Sequence, residues 1–308
     1  MVSTMTKCKG CGITIQNSDI KKEGYTTNLD NKLCVRCFKL KNYNVLISKG
    51  VKIDNNKILA TINKKNIFVL YLVDFLNLDL EVINMFKAIN SKKALIITKS
   101  DTIPKNIIKE RLVLNIKKVY DIKEEVILCS SKLKKNINEI NNICLKEEKV
   151  LLAGFTNAGK SSLINTLLKS DITVSKKENT TQDFITIKNE NLTIVDAPGF
   201  MSDVKRDSIP KNFIKPRTYQ LKCKYYLNIL DIKLNCKSDA NITIYINNDI
   251  IVERRKEREN VNCNVLVKKN CDLVLKGIGF IKFSTDTYVS INTKNYEIRN
   301  SIIGGSNE

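Results

Sequence analysis

Along residues 67 to 196 the chain alternates short apolar-rich runs with amphipathic stretches. Ile67 to Val73, Ala94 to Thr98, Val126 to Leu128, Lys149 to Ala153, Phe184 to Lys188 and Leu192 to Val195 have strand length. Runs such as Ala94-Leu-Ile-Ile97, apolar at every position, suit strands covered on both faces. Between the runs, near Glu81 to Asn90, after Pro104, around Ile137, Ile140 and Cys144, and after Lys160, apolar residues recur at helical spacing. The alternation predicts an α/β fold, a doubly wound and mostly parallel sheet. From about Tyr219 the period falls to two. Leu230 to Cys236, Ile242 to Ile246, Val265 to Val267, Asp272 to Leu275, Phe280 to Phe283 and Tyr288 to Ile291 predict antiparallel strands, with Gly277-Ile-Gly279 as a bend or bulge. Three regions follow: 1–47, 48–203, and a β-rich 204–308.

The longest apolar run is far too short to cross a bilayer, and Met1-Val2-Ser3-Thr4-Met5 leads into no apolar signal segment. The expectation is a soluble, cytoplasmic protein without a membrane partner. Lys and Arg number 52 against 32 Asp and Glu, a formal charge of +20, which favours a polyanion such as RNA, DNA or an acidic membrane surface. The 308 residues contain no His. That removes Ser-His-Asp and Cys-His nucleophiles, a His general base and His-ligated metals.

Any zinc site must therefore use thiolates. Cys8-Lys-Gly-Cys11 and Cys34-Val-Arg-Cys37 form two C-x2-C pairs, the pattern of a tetrahedral four-sulfur zinc ribbon or knuckle. A redox pair is the alternative, but such a pair heads a βαβ unit and does not ordinarily occur twice. Four thiolates leave no open coordination position, so this element is a platform and not a catalyst. Cys129, Cys144, Cys223, Cys236, Cys263 and Cys271 show no ligand spacing and are expected as buried thiols.

Lys149-Val-Leu-Leu-Ala153 runs into Gly154-Phe-Thr-Asn-Ala-Gly159-Lys160-Ser161, a G-x(4)-G-K-S between strand and helix. Glycines there let backbone N–H groups wrap phosphate at a helix N-terminus, Lys160 reaches the β and γ phosphates, and the Ser161 hydroxyl binds Mg²⁺. Gly154, Asn157, Ala158, Gly159, Lys160, Ser161 and Ser162 are the candidate phosphate contacts. After the strand Leu192 to Val195, Asp196-Ala-Pro-Gly199 offers a carboxylate to the metal through water and the Gly199 amide to the γ-phosphate. The polar stretch Ser170 to Gln182 holds Thr180 and Thr181, of which Thr181 is the better candidate to complete the Mg²⁺ shell. Lys160, Asn157, Thr181 and Gly199 are the residues expected to act on the transferred phosphate.

Guanine is read by a carboxylate that accepts from its N1–H and N2–H₂. Thr98-Lys99-Ser100-Asp101 and Asn235-Cys236-Lys237-Ser238-Asp239 both approach the Asn-Lys-x-Asp form. The first follows a fully apolar run and the second an alternating one, so Asp101 is the better guanine carboxylate, with Thr98 and Lys99 beside it. Val126-Ile-Leu128 then delivers Cys129-Ser130-Ser131-Lys132, similar to a Ser-Ala-Lys loop whose amide meets guanine O6. Base loop, second base loop, phosphate loop, switch threonine and Asp-x-x-Gly is the motif order of a circularly permuted P-loop GTPase.

With the four-cysteine element, Cys34 to Asn44, and Ile209-Pro-Lys-Asn-Phe-Ile-Lys-Pro-Arg-Thr-Tyr219-Gln-Leu221, the sequence resembles the YqeH-type ribosome-assembly GTPases over nearly its whole length. The resemblance implies GTP and GDP as ligands, Mg²⁺ and Zn²⁺ as cofactors, and GTP hydrolysis coupled to small ribosomal subunit maturation, with contacts to rRNA and to ribosomal proteins. It also implies K⁺ held by Asn157 against the phosphates. Two departures matter. Thr98 replaces the usual Asn, an amide that ties the base loop to the phosphate loop. Phe200 stands where many GTPases place a water-orienting Gln, so intrinsic turnover is expected to be slow, on the order of 10⁻⁴ to 10⁻³ s⁻¹. A GTP-tuned RNA clamp with negligible turnover and a large-subunit assembly GTPase stay open as alternatives. No aromatic RNA-recognition signature is visible, Glu253 to Glu259 reads as solvated surface, and Arg36, Lys39 and Lys41 are the first candidates for an RNA-facing surface.

Overall fold

The architecture is that of a computed structural model, which describes residues 6–8, 13–19, 22, 24–31, 33–35, 54–168, 173–175, 184–188, 192–206, 208–257 and 261–304. Its centre is a seven-stranded sheet in the order β3-β2-β1-β4-β7-β6-β5. The strands are β1 (Phe68–Asp74), β2 (Lys93–Thr98), β3 (Glu125–Leu128), β4 (Lys149–Gly154), β5 (Thr173–Ser175), β6 (Ile185–Lys188) and β7 (Thr193–Asp196). The five from β3 to β7 in spatial order run parallel, and β6 and β5 pair antiparallel at one edge. The seventh strand, β5, arises inside the polar stretch 170–182, where no apolar run announces it.

The helices are α1 (Asn55–Lys65), α2 (Leu80–Lys87), α3 (Lys109–Tyr120), α4 (Ile137–Glu147) and α5 (Lys160–Leu167). Strand alternation sends Val69, Tyr71 and Val73 to one face, packed with Ile62, Phe86 and Ile116 of α1, α2 and α3. Leu70 and Leu72 go to the other face with Ile140 of α4 and Leu163 of α5. Both faces are covered, which is why β1 is buried at all but its first position. From β1 the chain winds outward through β2 and β3, then returns to β4 on the other side of β1. That reversal is a topological switch point, and the crevice beyond the carboxyl ends of β1 and β4 is where such sheets bind ligands.

The C-terminal region forms two five-stranded antiparallel sheets. One is built from β9 (Tyr225–Ile229), β10 (Ile232–Cys236), β12 (Val252–Lys256), β13 (Val265–Val267) and β16 (Thr287–Ile291). The other is built from β8 (Arg217–Leu221), β11 (Ala240–Ile246), β14 (Cys271–Leu275), β15 (Gly279–Phe283) and β17 (Tyr296–Asn300). Leu227, Leu234, Ile244, Ile281 and Val289 pack between them. Lys276, Gly277 and Ile278 form a three-residue β14–β15 hairpin turn, the bend of the two expected alternatives, with Leu275 paired directly to Gly279. The run Glu253 to Glu257 is largely the edge strand β12, its Arg254, Arg255 and Lys256 exposed.

The second sheet also faces the α/β core. Phe280 meets Phe75 edge-on at 5.5 Å and stacks on Tyr245 at 4.9 Å. Arg299 reaches across the same boundary from a buried ion pair within the second sheet: its Nε lies 3.2 Å from Asp272 Oδ2 of the neighbouring strand, and its Nη1 donates to the Leu78 carbonyl and the Tyr120 hydroxyl oxygen. Glu297 accepts from the Leu80 amide at 2.9 Å, at the N-terminus of α2.

In the N-terminal segment, Lys7 and Thr14 form an antiparallel bridge, and the Cys34 amide donates to Cys8 Sγ at 3.2 Å. Both cysteines are buried. Cys11 and Cys37, like Thr180, Thr181, Arg36, Lys39 and Lys41, lie outside the described residues. Among the described residues no group of three or more metal-ligating side chains is gathered. Of the other cysteines, Cys129, Cys144 and Cys236 are buried as expected, with burial pushing each thiol up to about 12. Cys223 is exposed, and Cys263 and Cys271 are half-buried, against that expectation. Among the described residues no helix is long and apolar enough to cross a membrane.

Candidate nucleotide site

Strand β4 ends at Gly154, whose φ is +146°; a Cβ there would meet the Leu72 carbonyl of β1 at 2.4 Å, so only glycine fits. The loop turns through Asn157 at φ +65° and Gly159 at φ +95° before α5 begins at Lys160. Ala158 is buried beneath the loop, and Ser161 and Ser162 stand on the first turn of the helix. The Lys160 ammonium folds back over the loop, 2.9 Å from the Gly154 carbonyl and 3.3 Å from that of Phe155. Burial lowers its pKa, opposed by Asp196. Asp196, at the end of β7, is pushed up to about 6 by burial, with Lys160 opposing. Its Oδ1 is buried and has no hydrogen-bond partner among the described residues.

The Asp-x-x-Gly segment is laced to the phosphate loop through its backbone. Ala197 N donates to the Leu152 carbonyl at 3.0 Å, Phe200 N to that of Gly154 at 3.1 Å, and Thr156 N to that of Phe200 at 3.2 Å. Gly199 lies so close that an added Cβ would stand 3.3 Å from Lys160 Nζ. The Phe200 ring is fully buried, 5.7 Å from that of Phe155 and 6.3 Å from that of Tyr71. It holds the segment to the core and offers nothing to a water molecule.

The base loops converge on the same crevice. Asp101 accepts from the Ser130 hydroxyl at 2.6 Å, so the two loops, 29 residues apart, meet directly. The Ser130 backbone pairs with that of Lys135, closing the second loop around the half-exposed Ser131. Lys132 turns outward to the Lys211 carbonyl at 2.9 Å. Thr98 corrects an expectation. Its hydroxyl donates to the Ala158 carbonyl at 2.7 Å, so the tie between base loop and phosphate loop is kept without an amide. The Lys99 ammonium makes a second tie, 2.9 Å from the Asn157 carbonyl and 3.2 Å from Asp74 Oδ2.

Asp74 and Arg206 are the residues that sequence reading missed. Asp74 ends β1 and accepts from Leu76 N, Asn77 Nδ2 and Lys99, placing a buried carboxylate under the lysine of the base loop. An acidic residue closing the first apolar run was the available signal. Arg206 follows the Asp-x-x-Gly segment and is buried, clamped by Asp79 at 2.5 Å and Glu81 at 2.6 Å. Its carbonyl accepts from Asn157 Nδ2 at 3.3 Å. A single arginine in a polar linker carries no pattern.

Comparison with known proteins agrees with this geometry. The family model for RsgA GTPases matches residues 41–203, more than half of the chain. The chain belongs to the RsgA GTPase family. A second family model, described as 50S ribosome-binding GTPase, matches residues 149–275. The protein named YqeH of Bacillus subtilis (strain 168), called uncharacterized, is 27% identical over 87% of this chain and 82% of its own length. The crystal structure of YjeQ from Thermotoga maritima is 20% identical with a TM-score of 0.34, matching 46% of this chain and 51% of that one. This RsgA-family protein is a GTPase of the YqeH type, circularly permuted, for which GTP, GDP and Mg²⁺ are the expected ligands.

Proposed function

We propose that this GTPase is a slow, GTP-gated switch in assembly of the small ribosomal subunit, acting in the cytoplasm on rRNA and ribosomal proteins. The observation that carries the reading is the meeting of Asp101 and Ser130 with the phosphate loop at one switch point, through Thr98 and Lys99. In this reading Asp101 selects guanine, helped by the Ser130-Ser131-Lys132 loop, while the amides from Gly154 to Ser162 cradle the phosphates. Lys160 exchanges two loop carbonyls for phosphate oxygens, and the Gly199 amide meets the γ-phosphate. Ser161, Thr181 and Asp196 would hold Mg²⁺, which supplies positive charge against the phosphates; the orphaned, buried Asp196 Oδ1 fits such a role. Asn157 would hold K⁺ in the same way. The buried position of Phe200 supports slow intrinsic turnover, because no side chain there can orient water.

Cys8, Cys11, Cys34 and Cys37 would hold one structural Zn²⁺. Cys8 and Cys34 support this: they are adjacent and buried, and a backbone N–H donates to sulfur, as suits a thiolate. A second reading, action on the large subunit, is favoured by the match to the model described as 50S ribosome-binding GTPase. Sedimentation of the protein, locked with a non-hydrolysable GTP analogue, against separated subunits tests the choice. Co-migration with the small subunit, with faster turnover in its presence, is expected. Co-migration with the large subunit favours the second reading, and binding without any turnover favours a GTP-tuned clamp.

A further inference from the structure

Most buried cations of this protein are matched to acids: Arg206 to Asp79 and Glu81, Lys99 to Asp74, Arg299 to Asp272. The lysines around the base loops are not. Lys105 and Lys109 follow the first base loop, Lys132 and Lys135 belong to the second, and Lys211 and Lys215 lie on the linker that crosses both. All are exposed except the half-buried Lys109, and among the described residues none forms an ion pair. Hydrogen bonds and ring contacts bring the three segments together. Lys132 Nζ reaches the Lys211 carbonyl at 2.9 Å, Ile214 N donates to the Thr102 carbonyl at 2.7 Å, and the Lys105 ammonium lies 4.7 Å from the centroid of the Phe213 ring. The Lys109 amine is lowered first by burial and then by the neighbouring Lys135, with Asp101 and Glu110 opposing the shift. Glu110 is exposed, and Asp101 is bonded to the Ser130 hydroxyl.

We infer that this lysine collar is a docking surface for the phosphate backbone of unpaired RNA, with the exposed Phe213 ring as a stacking face. The inference rests on the ribosome-assembly reading and gives its RNA contact a location. Three features favour RNA over an acidic polypeptide. Six ammonium groups are spread over three segments, as a phosphate every few ångströms along a strand requires, and an aromatic ring sits among them. The formal charge of +20 adds a field that attracts long polyanions. The collar also adjoins the proposed guanine site: Lys132 lies two residues from Ser130, whose hydroxyl donates to Asp101. Arg36, Lys39 and Lys41 are therefore not needed as the sole contact.

The test uses the full-length protein and fluorescein-labelled oligouridylate, with binding read by fluorescence anisotropy across a salt series. In one variant Lys105, Lys135, Lys211 and Lys215 are replaced by Gln; in a control variant the exposed Lys57, Lys118, Lys146 and Lys294 are, with the same change in net charge. The collar variant is expected to bind at least about tenfold more weakly and to lose about 3 units of log–log salt slope, at roughly 0.7 per phosphate contact. The control should lose far less, and Phe213→Ala should weaken binding without changing the slope. Equal losses in the two lysine variants would overturn the proposal by showing that only net charge matters. Tighter binding of polyglutamate than of oligouridylate through the same lysines would overturn it in favour of an acidic protein partner. If wild type binds RNA but the collar variant binds equally well, only the location fails. If wild type neither binds RNA nor sediments with either subunit, the ribosome-assembly reading fails first.

Discussion

Lys160 and Asp196, half-buried and near enough to influence each other but without an ion pair among the described residues, and Arg299 with Asp272, a fully buried ion pair, are treated differently by the protein. At the boundary between the α/β core and the C-terminal sheets, Arg299 is met by Asp272, the Leu78 carbonyl and the Tyr120 hydroxyl. Those partners outweigh burial and hold the guanidinium pKa above its usual value. Asp272 is raised by burial, but Arg299, Ser301 and the Ile302 amide all oppose the shift. In the nucleotide site burial wins on both members: Lys160 is lowered, Asp196 is raised to about 6, and Asp196 Oδ1 has no partner among the described residues. The Arg299–Asp272 pair is bonded to itself and to its surroundings, although Asp272 Oδ1 and Arg299 Nη2 also have no hydrogen-bond partner among the described residues. Lys160 and Asp196 are charges left partly unsatisfied at a switch point, which is what a phosphate and metal site requires.

The largest expected effect comes from breaking the Arg299–Asp272 pair. Arg299→Met leaves Asp272 buried without its cation and should lower stability by about 3–5 kcal/mol in urea unfolding, whereas the double variant with Asp272→Leu should recover most of it. Lys160→Met should reduce GTP hydrolysis by about 10²- to 10³-fold, the usual scale for one charge-stabilising group, with little change in unfolding midpoint. Thr98→Val sharpens the comparison from the base side. It leaves the Ala158 carbonyl unpaired, costs about 1–2 kcal/mol, and should weaken guanine nucleotide binding in isothermal titration.

The smallest effect concerns pH. A carboxyl raised in the folded state takes up protons on folding, so ionising Asp196 opposes the fold as pH rises from about 4 through about 6. Asp196→Asn should therefore gain thermal stability relative to wild type across that window. Mg²⁺-dependent nucleotide binding by wild type should fall as pH drops below about 6, because the protonated carboxyl no longer attracts the metal.

What the sequence made legible follows the same division. The parallel strands and the phosphate loop depend on local periodicity and on residues within eight positions of one another, and both were readable. The preference for Asp101 over Asp239 rests on the expectation that the strand before Asp239 is half-buried and antiparallel; β10 is antiparallel but buried at all but Lys233, and Asp239 after it accepts from the Cys223 amide. The Thr98 tie was misjudged because its acceptor, Ala158, is 60 residues away and is a backbone oxygen that no motif names. Strands β8 and β17 lacked clean alternation because positions that pack inward carry residues such as Arg217 and Glu297, while the edge strand β12 is charged at four of its five positions. Arg206 and Arg299 acquire partners 127 and 27 residues away through tertiary packing alone.

We propose that Lys160 and Asp196 are held without an ion pair to each other so that Mg²⁺ and GTP complete the site. Thermal unfolding of wild type and Lys160→Met, each with and without saturating Mg²⁺ and GTP, tests it most directly. The nucleotide-free variant is expected to be at least as stable as wild type and to gain little from ligand, while wild type gains about 2.7 kcal/mol at a hundredfold excess over Kd. A variant that is several degrees less stable than wild type without nucleotide, and gains as much as wild type with it, would contradict the claim.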